Sequence, residues 1–194
     1  VGAGGTASSI AGIPFYSSDN SIYTHNVSGT DDTASGNSAY GISAMDAITT
    51  GDNNTAVGRS ALGANTTAGG NVAVGKDALT DNTTGAENVA VGENSLANNT
   101  TAAGNTAVGR GSMFTNTTGA NNVGIGFDAL YANTTGTRNL AIGKGAYDAS
   151  DTENDNLAIG YAAMTTNTAG GTANLAIGNY ALDALTPGDY NVGV

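Results

Sequence analysis

Three carboxylates come closest to the spacing of a metal site. Asp151, Glu153 and Asp155 alternate within the acidic stretch SDTENDN, residues 150–156. Calcium takes six to eight oxygen ligands, so one short turn could supply only part of a coordination shell. The motif G-G-x-G-x-D of calcium-binding β-rolls is absent, and the Asp residues do not recur in register. We expect a solvated acidic corner without a metal, and we keep a calcium ion at this turn as the alternative.

Catalytic chemistry has few candidate residues in this chain. The chain has one histidine, His25, and no cysteine. An enzyme needs a cluster of titratable groups in a pocket, and no acid lies at a motif spacing from His25. The segment GGNVAVGKD has a Gly-Lys pair but lacks the phosphate-loop spacing G-x-x-x-x-G-K-[ST]. The sequence therefore predicts neither an enzyme nor a cofactor.

A repeat of 17 residues organises most of the chain. An asparagine opens each copy, and consecutive copies are 17 residues apart except between Asn156 and Asn174, where the spacing is 18. The unit is N-x-A-[VI]-G-x-x-[AS]-[LM]-x-x-N-T-T-x-x-x, and we number its places from one to seventeen. The opening residues are Asn37, Asn54, Asn71, Asn88, Asn105, Asn122, Asn139, Asn156, Asn174 and Asn191.

The unit predicts an all-β fold, a parallel β-solenoid or β-roll with one coil per repeat. The segment NVAVG alternates like a strand, glycine ends it, and NTTGA has turn chemistry. We expect the segment xxAL to be a second short strand or extended arm. About ten coils at the strand spacing would form a rod roughly 45–50 Å long. The stacked rows would include Asn54, Asn71 and Asn88 at the first place, Val57, Val74 and Val91 at the fourth, and Gly58, Gly75 and Gly92 at the fifth.

Both faces of the predicted strand consist of small or apolar residues. From Val57 onward the fourth place is Val or Ile, and the third place, on the opposite face, is almost always Ala. Constant small size at the third place indicates close packing there, against another copy of the chain. We therefore expect a homotrimer, intertwined or side by side, and we keep a self-sufficient single-chain solenoid as the alternative.

The charge and the ends of the chain limit its partners and domains. The net charge is −11 with five basic residues, which disfavours nucleic acid and anionic membrane surfaces as partners. No apolar run is long enough to cross a membrane. Residues 37–194 form the predicted solenoid, and residues 1–36 a cap or joint that includes, in one interpretation, a degenerate coil from Asn20. We interpret the start at Val1 and the stop within a repeat as marks of a longer polypeptide.

Two further patterns within the repeat have alternative interpretations. Each Asn-Thr-Thr triplet fits the glycosylation motif, but the repeat alone generates every match, so we favour turn chemistry. Stacked threonines also permit an ice-binding hypothesis, although Asp151, Ala169 and Pro187 interrupt the rows.

The pattern NVAVG, AL and NTTG resembles two families of fibrous proteins. It is similar to the left-handed parallel β-roll repeats of trimeric autotransporter adhesin heads, whose repeats are shorter. It looks even more like repeats in the long tail fibres of tailed phages. The resemblance covers about residues 37–194 and implies trimeric rods, attachment to a surface and no catalytic residues.

The resemblance leads to a functional expectation. We expect a structural and adhesive fibre segment, located on a virion or a cell surface, with a phage tail fibre as the first choice. Its partners would be further copies of itself, neighbouring domains or particle proteins, and a host glycan or protein. Phe127, Tyr131 and Tyr161 occupy variable places on nearby coils and are the candidate receptor contacts, since exposed aromatic rings stack on sugars.

Overall fold

A computed structural model shows a parallel β-solenoid, as the repeat predicts. It describes residues 8–10, 13–18, 21–23, 33–149, 151–165, 171–185 and 188–194. Nine coils follow one another from residue 37 to residue 190, of which those up to residue 138 are described in full, and a tenth begins at Asn191. Among these residues there is no helix long and apolar enough to cross a membrane.

Within the described residues, one sheet contains thirteen strands in sequence order. The strands are β1 (Ser8–Ile10), β2 (Ile13–Ser18), β3 (Ser21–Tyr23), β4 (Ser38–Tyr40), β5 (Thr55–Val57), β6 (Val72–Val74), β7 (Val89–Val91), β8 (Thr106–Val108), β9 (Val123–Ile125), β10 (Leu140–Ile142), β11 (Leu157–Ile159), β12 (Leu175–Ile177) and β13 (Val192–Gly193). From β3 onward every pairing is parallel. Between coils of regular length the register equals the repeat, so like residues lie side by side.

The N-terminal strands depart from this pattern. β1, β2 and β3 pair antiparallel, and β3 then pairs parallel with β4. Ile22 lies opposite Ser38, so the register at this junction is one position short of the repeat. Asn20 and His25 lie outside the described residues. The degenerate coil from residue 20 and the boundary at residue 36 therefore stay predictions.

The segment xxAL forms consecutive turns, so the predicted second strand is wrong. Its seventh and ninth places adopt left-handed backbone, as at Ser60 (φ 56°) and Leu62 (φ 52°). Alternating backbone handedness curls the chain too tightly for a strand. The ordered turns still bond between coils, since the Leu62 amide donates to the Ala78 carbonyl at 3.0 Å. Left-handed backbone at leucine is strained, and burial of the side chain and these hydrogen bonds offset the strain.

The interior of each coil is narrow and contains mainly small side chains. Third-place residues such as Ala56 and Ala73, and ninth-place residues such as Leu62 and Leu79, are fully buried. Fourth-place side chains point outward, and Val57 is 40% exposed. The expectation that the alanine face meets another chain is wrong, because alanine lines the core of its own coil. The outward face of the sheet is the Val and Ile face.

The predicted asparagine ladder at the first place is present and buried. The Asn88 backbone amide donates to the side-chain oxygen of Asn71 at 2.9 Å, and the Asn71 side-chain nitrogen donates to the Gly85 carbonyl at 3.0 Å. One side chain therefore bonds both to the next coil and across its own coil. This satisfies polar groups inside a rod too thin to bury them among apolar residues.

A second asparagine ladder lies at the twelfth place, in the Asn-Thr-Thr triplets. The side-chain nitrogen of Asn99 donates to the side-chain oxygen of Asn82 at 2.8 Å and to the Ala102 carbonyl at 3.0 Å. The ladder consists of Asn65, Asn82, Asn99, Asn116 and Asn133, all fully buried. These side chains are enclosed and bonded in the folded coil, which disfavours the glycosylation alternative.

The fifth-place glycines set how closely the coils approach. Gly75 has φ of 138°, and a β-carbon built there would overlap the Gly92 carbonyl, lying 2.6 Å from its carbon. Any larger residue would have to push two backbones apart. Glycine is therefore required by space as well as by conformation.

Substitution of Gly75 tests this close approach. We predict that Gly75→Ala lowers the free energy of unfolding by more than about 3 kcal/mol, because strain and backbone overlap add. Gly63→Ala is the control: Gly63 has ordinary backbone, and the nearest atom to its β-carbon would be 3.2 Å away. Chemical denaturation monitored by circular dichroism measures both. Equal effects of the two substitutions would contradict the close-approach account.

Candidate functional site

The sixth places form an exposed row of charges and rings. Lys76 pairs with Glu93 at 3.2 Å, and Arg110 with Glu93 at 3.6 Å. Farther along the row, the Arg110 guanidinium lies 5.3 Å from the ring centre of Phe127. The Lys144 ammonium lies 5.7 Å from the ring centres of both Phe127 and Tyr161. Each contact is weak in solvent, and together they form a continuous row of charges and rings along the rod.

A groove opens beside this row on the coils that begin at Asn122, Asn139 and Asn156. Its volume is about 160 Å³. Its lining residues are Phe127, Asp128, Lys144, Gly145, Asp148, Tyr161, Ala162 and Thr165. The sixth places provide the two rings and the ammonium, and the tenth places provide the Asp148 carboxyl and the Thr165 hydroxyl. The groove therefore combines aromatic surface with a positively charged hydrogen-bond donor, negatively charged acceptors and a hydroxyl group.

Small residues at the seventh place make room for the groove. This place has left-handed backbone, and most coils carry a polar residue there, such as Asp77 or Asn94. Two consecutive coils instead have Gly145 (φ 61°) and Ala162 (φ 51°). Their missing side chains leave the space between the sixth-place and tenth-place rows unfilled.

Two carboxyl groups border the groove and interact electrostatically. Burial raises the pKa of the Asp148 carboxyl, and the charge of Asp128 adds to the rise. Hydrogen bonds from the backbone amides of Asp148 and Ala149 act in the opposite direction. The pKa of Asp148 is therefore higher in the folded than in the unfolded chain. Its protonated carboxyl stabilises the fold below about pH 3.9, and this stabilisation is lost as the pH rises through the folded pKa.

The candidate receptor contacts do not all lie together. Phe127 and Tyr161 border the groove, at 40% and 43% exposure. Tyr131 is not among the lining residues; its ring stacks on Phe114, with centres 5.4 Å apart and planes 12° apart. Sequence reasoning missed Asp128, Lys144, Asp148 and Thr165. Aligning the variable places of adjacent repeats would have placed them on one side of the rod.

The acidic turn 151–155 does not assemble a metal site. Glu153 is buried and accepts hydrogen bonds from the amides of Asp151 and Thr152 at 3.0 and 3.1 Å. Arg138 forms two hydrogen bonds to Asp155, at 2.6 and 2.8 Å, and lowers the pKa of that carboxyl. The carboxylates of Glu153 and Asp155 thus bond to backbone amides and to an arginine, which disfavours the calcium alternative. The described residues contain no group of three metal-ligating side chains.

The coil that begins at Asn139, which contributes to the groove, also has atypical interior residues. Tyr147 replaces the usual leucine or methionine, is fully buried, and accepts a hydrogen bond from the Asn156 side chain at 2.6 Å. The twelfth-place ladder stops at Asn133, whose side-chain oxygen has no partner among the described residues. Ser150 occupies the twelfth place of the next coil and lies outside the described residues. Departures from the repeat thus concentrate where the groove lies.

Comparisons with known proteins give no relative from which to transfer a function. No family model, curated protein or solved structure matches this chain.

The coupling between the two carboxyls of the groove is testable by titration. We predict that Asp128→Asn lowers the pKa of Asp148 toward the ordinary value, because it removes a neighbouring negative charge. Carbon-13 NMR of the aspartate carboxyls measures this pKa. Asp81→Asn, at an exposed position on another coil, is the control and should leave it unchanged. If Asp128→Asn leaves the pKa of Asp148 unchanged, the proposed electrostatic interaction between the two carboxyls is contradicted.

Proposed function

We propose that this chain is a structural and adhesive segment of a homotrimeric fibre that attaches to a host surface. The observation that carries the proposal is the outward face of the sheet, formed by the second and fourth places of each coil. We call this surface the strand face. It has the properties of a contact surface between copies of the chain.

The strand face is mostly apolar and carries no charge along the solenoid. From Ser38 to Val194, its second and fourth places contain only Ser, Thr, Val, Leu, Ile and Tyr. Fourth-place side chains stay partly exposed, with Ile125 at 37% and Ile177 at 39%. A stripe roughly 43 Å long and 10 Å wide results from nine coils at the strand spacing. This area compares with the largest apolar patches of monomeric proteins, which commonly mark contact surfaces.

Charge favours this face over the others for self-association. Copies with a net charge of −11 repel one another, so a contact surface should avoid the charged rows. Charged side chains instead occupy other places of the repeat, such as Arg59, Lys76 and Glu93 of the sixth. The strand face lets chains pack lengthwise without desolvating a charge.

The trimer and the biological setting come from the resemblance of the repeat. Three rods packed by their strand faces around one axis would shield these faces from water. The resemblance to tail-fibre repeats favours a phage tail fibre, on the virion, as either a receptor-binding region or a spacer shaft. The head of a bacterial trimeric adhesin, on the cell surface, is the second setting. In both, the partners are neighbouring domains and a glycan or protein of the host.

Lysine substitutions in the strand face test the trimer. We predict a solution mass near 57 kDa, about three times the 18.9 kDa of one chain. The double variant Val74→Lys and Ile142→Lys should dissociate to single chains, because it buries charges between the rods. Light scattering measures the mass, and circular dichroism verifies the fold.

The matched control for this test adds the same charge elsewhere. Thr84→Lys and Thr135→Lys alter exposed fourteenth-place residues and should leave the trimer intact. A wild-type mass of one chain, or equal dissociation of the two double variants, would overturn the trimer.

An ice-binding rod is a second candidate, favoured by one observation. The fourteenth places form an exposed threonine row: Thr50, Thr67, Thr84, Thr101, Thr118, Thr135 and Thr152. Beside it, thirteenth-place hydroxyls are held in place, since Thr83 donates to the Thr100 carbonyl at 3.0 Å. Regular hydroxyl rows can order water.

Thermal hysteresis separates the two candidates. The fibre proposal predicts no depression of the freezing point below the melting point, because its contact surface is the strand face. Nanolitre osmometry measures the difference. Hysteresis that the variant Thr84→Lys and Thr135→Lys abolishes would favour the ice-binding rod.

A further inference from the structure

We propose that the groove lined by Phe127, Lys144, Asp148, Tyr161 and Thr165 binds the ring of a neutral sugar. The inference deepens the proposed fibre function, because it names the class of host ligand and the place where it binds. The groove is the part of the described surface where aromatic rings, carboxyls, an ammonium and a hydroxyl converge.

The mixture of charges selects an uncharged ligand. Asp128 and Asp148 would repel an anionic sugar, and Lys144 would repel a cationic one. A neutral polyol avoids both penalties and offers hydroxyl groups that donate as well as accept. Adjacent hydroxyls can donate to the carboxylates of Asp128 and Asp148, while other ring oxygens accept from Lys144 and Thr165.

The aromatic rings suit the apolar side of a sugar. A pyranose ring has one face of C–H groups, which packs on aromatic surface. Phe127 and Tyr161 lie on the two sides of Lys144 in the sixth-place row. Tyr180 contacts Tyr161 edge to face, with ring centres 5.3 Å apart, and so helps to fix its orientation. The bordering rings are therefore held in place before a ligand arrives.

The size of the groove limits the ligand. A volume of about 160 Å³ accommodates one sugar ring, with the remainder of a glycan extending over the open surface. A contact of this size gives weak affinity, with a dissociation constant of about 1–10 mM for a single sugar. Several grooves on one fibre would act together on a glycan-coated surface, and this raises the overall avidity.

The experiment titrates the full chain with defined sugars. The neutral probes are the methyl glycosides of glucose, galactose and mannose, together with N-acetylglucosamine, and the anionic probe is N-acetylneuraminic acid. Saturation-transfer NMR detects binding, and chemical-shift titration gives the dissociation constant. We expect at least one neutral probe to bind in the millimolar range and the anionic probe to bind at least tenfold more weakly.

Two matched variants locate the binding. Thr165→Tyr fills the groove, and Thr80→Tyr makes the same change at the same tenth place on a distant coil. The scaffold carries Tyr131 at this place, so it tolerates a tyrosine there. We expect Thr165→Tyr to weaken binding at least tenfold and Thr80→Tyr to leave it unchanged.

The outcomes distinguish a failure of the sugar-binding inference from a failure of the trimer proposal. Three outcomes would contradict sugar binding in the groove: no binding of any neutral probe, equal binding of the anionic probe, or binding that survives Thr165→Tyr. Light scattering on the same samples reports the oligomer independently. An inert groove on an intact trimer contradicts only this inference, and sugar binding by single chains contradicts only the homotrimer.

Discussion

Backbone-to-backbone packing between successive coils is the constraint on which the rest of the structure depends. At the fifth place, Gly75 lies so close to Gly92 that a β-carbon between them would overlap a carbonyl. Amides and carbonyls of neighbouring coils then bond in a fixed register, with the Gly75 amide donating to the Val57 carbonyl at 2.8 Å. Because identical backbones stack, identical side chains stack as well. The asparagine ladders, the buried alanines and the outward Val and Ile rows all follow from this spacing.

The architecture could be predicted because the repeat is visible without any structure. The period, the strand at NVAVG, the glycine corner and the first asparagine ladder all follow from residues such as Asn71 and Gly75. The direction of the two strand faces could not be predicted, since larger apolar residues are normally the buried ones. Because each coil is so short, its interior accommodates Ala73 and Leu79, whereas Val74 points outward. Alternating φ at places such as Leu62 was equally hidden, because leucine rarely adopts left-handed backbone.

The candidate site depends on where the repeat is broken. Aromatic residues at variable places pointed to Phe127 and Tyr161, but neither sequence position nor composition showed that Gly145 and Ala162 leave a space beside them. Tyr131 lies outside the groove lining and stacks on Phe114, a pairing that the sequence does not reveal. The repeated rows build a rod with an uncharged strand face, and the coil at 139–155 departs from them beside the groove. In the proposed fibre, length and recognition would thus have different origins within the same repeat.

Axial stacking of one coil per repeat is the central claim, and electron spin distances test it most directly. The chain has no cysteine, so pairs of spin labels can be placed at Thr50 and Thr118, and at Thr50 and Thr152, with labelled chains diluted in unlabelled ones. The first pair spans four coils and the second six, so the distances should be about 19 Å and 29 Å, plus a common contribution from the labels. A difference of about 10 Å between the two pairs, which is two further coils at the strand spacing, supports the solenoid. Equal distances, or a second distance shorter than the first, would contradict it.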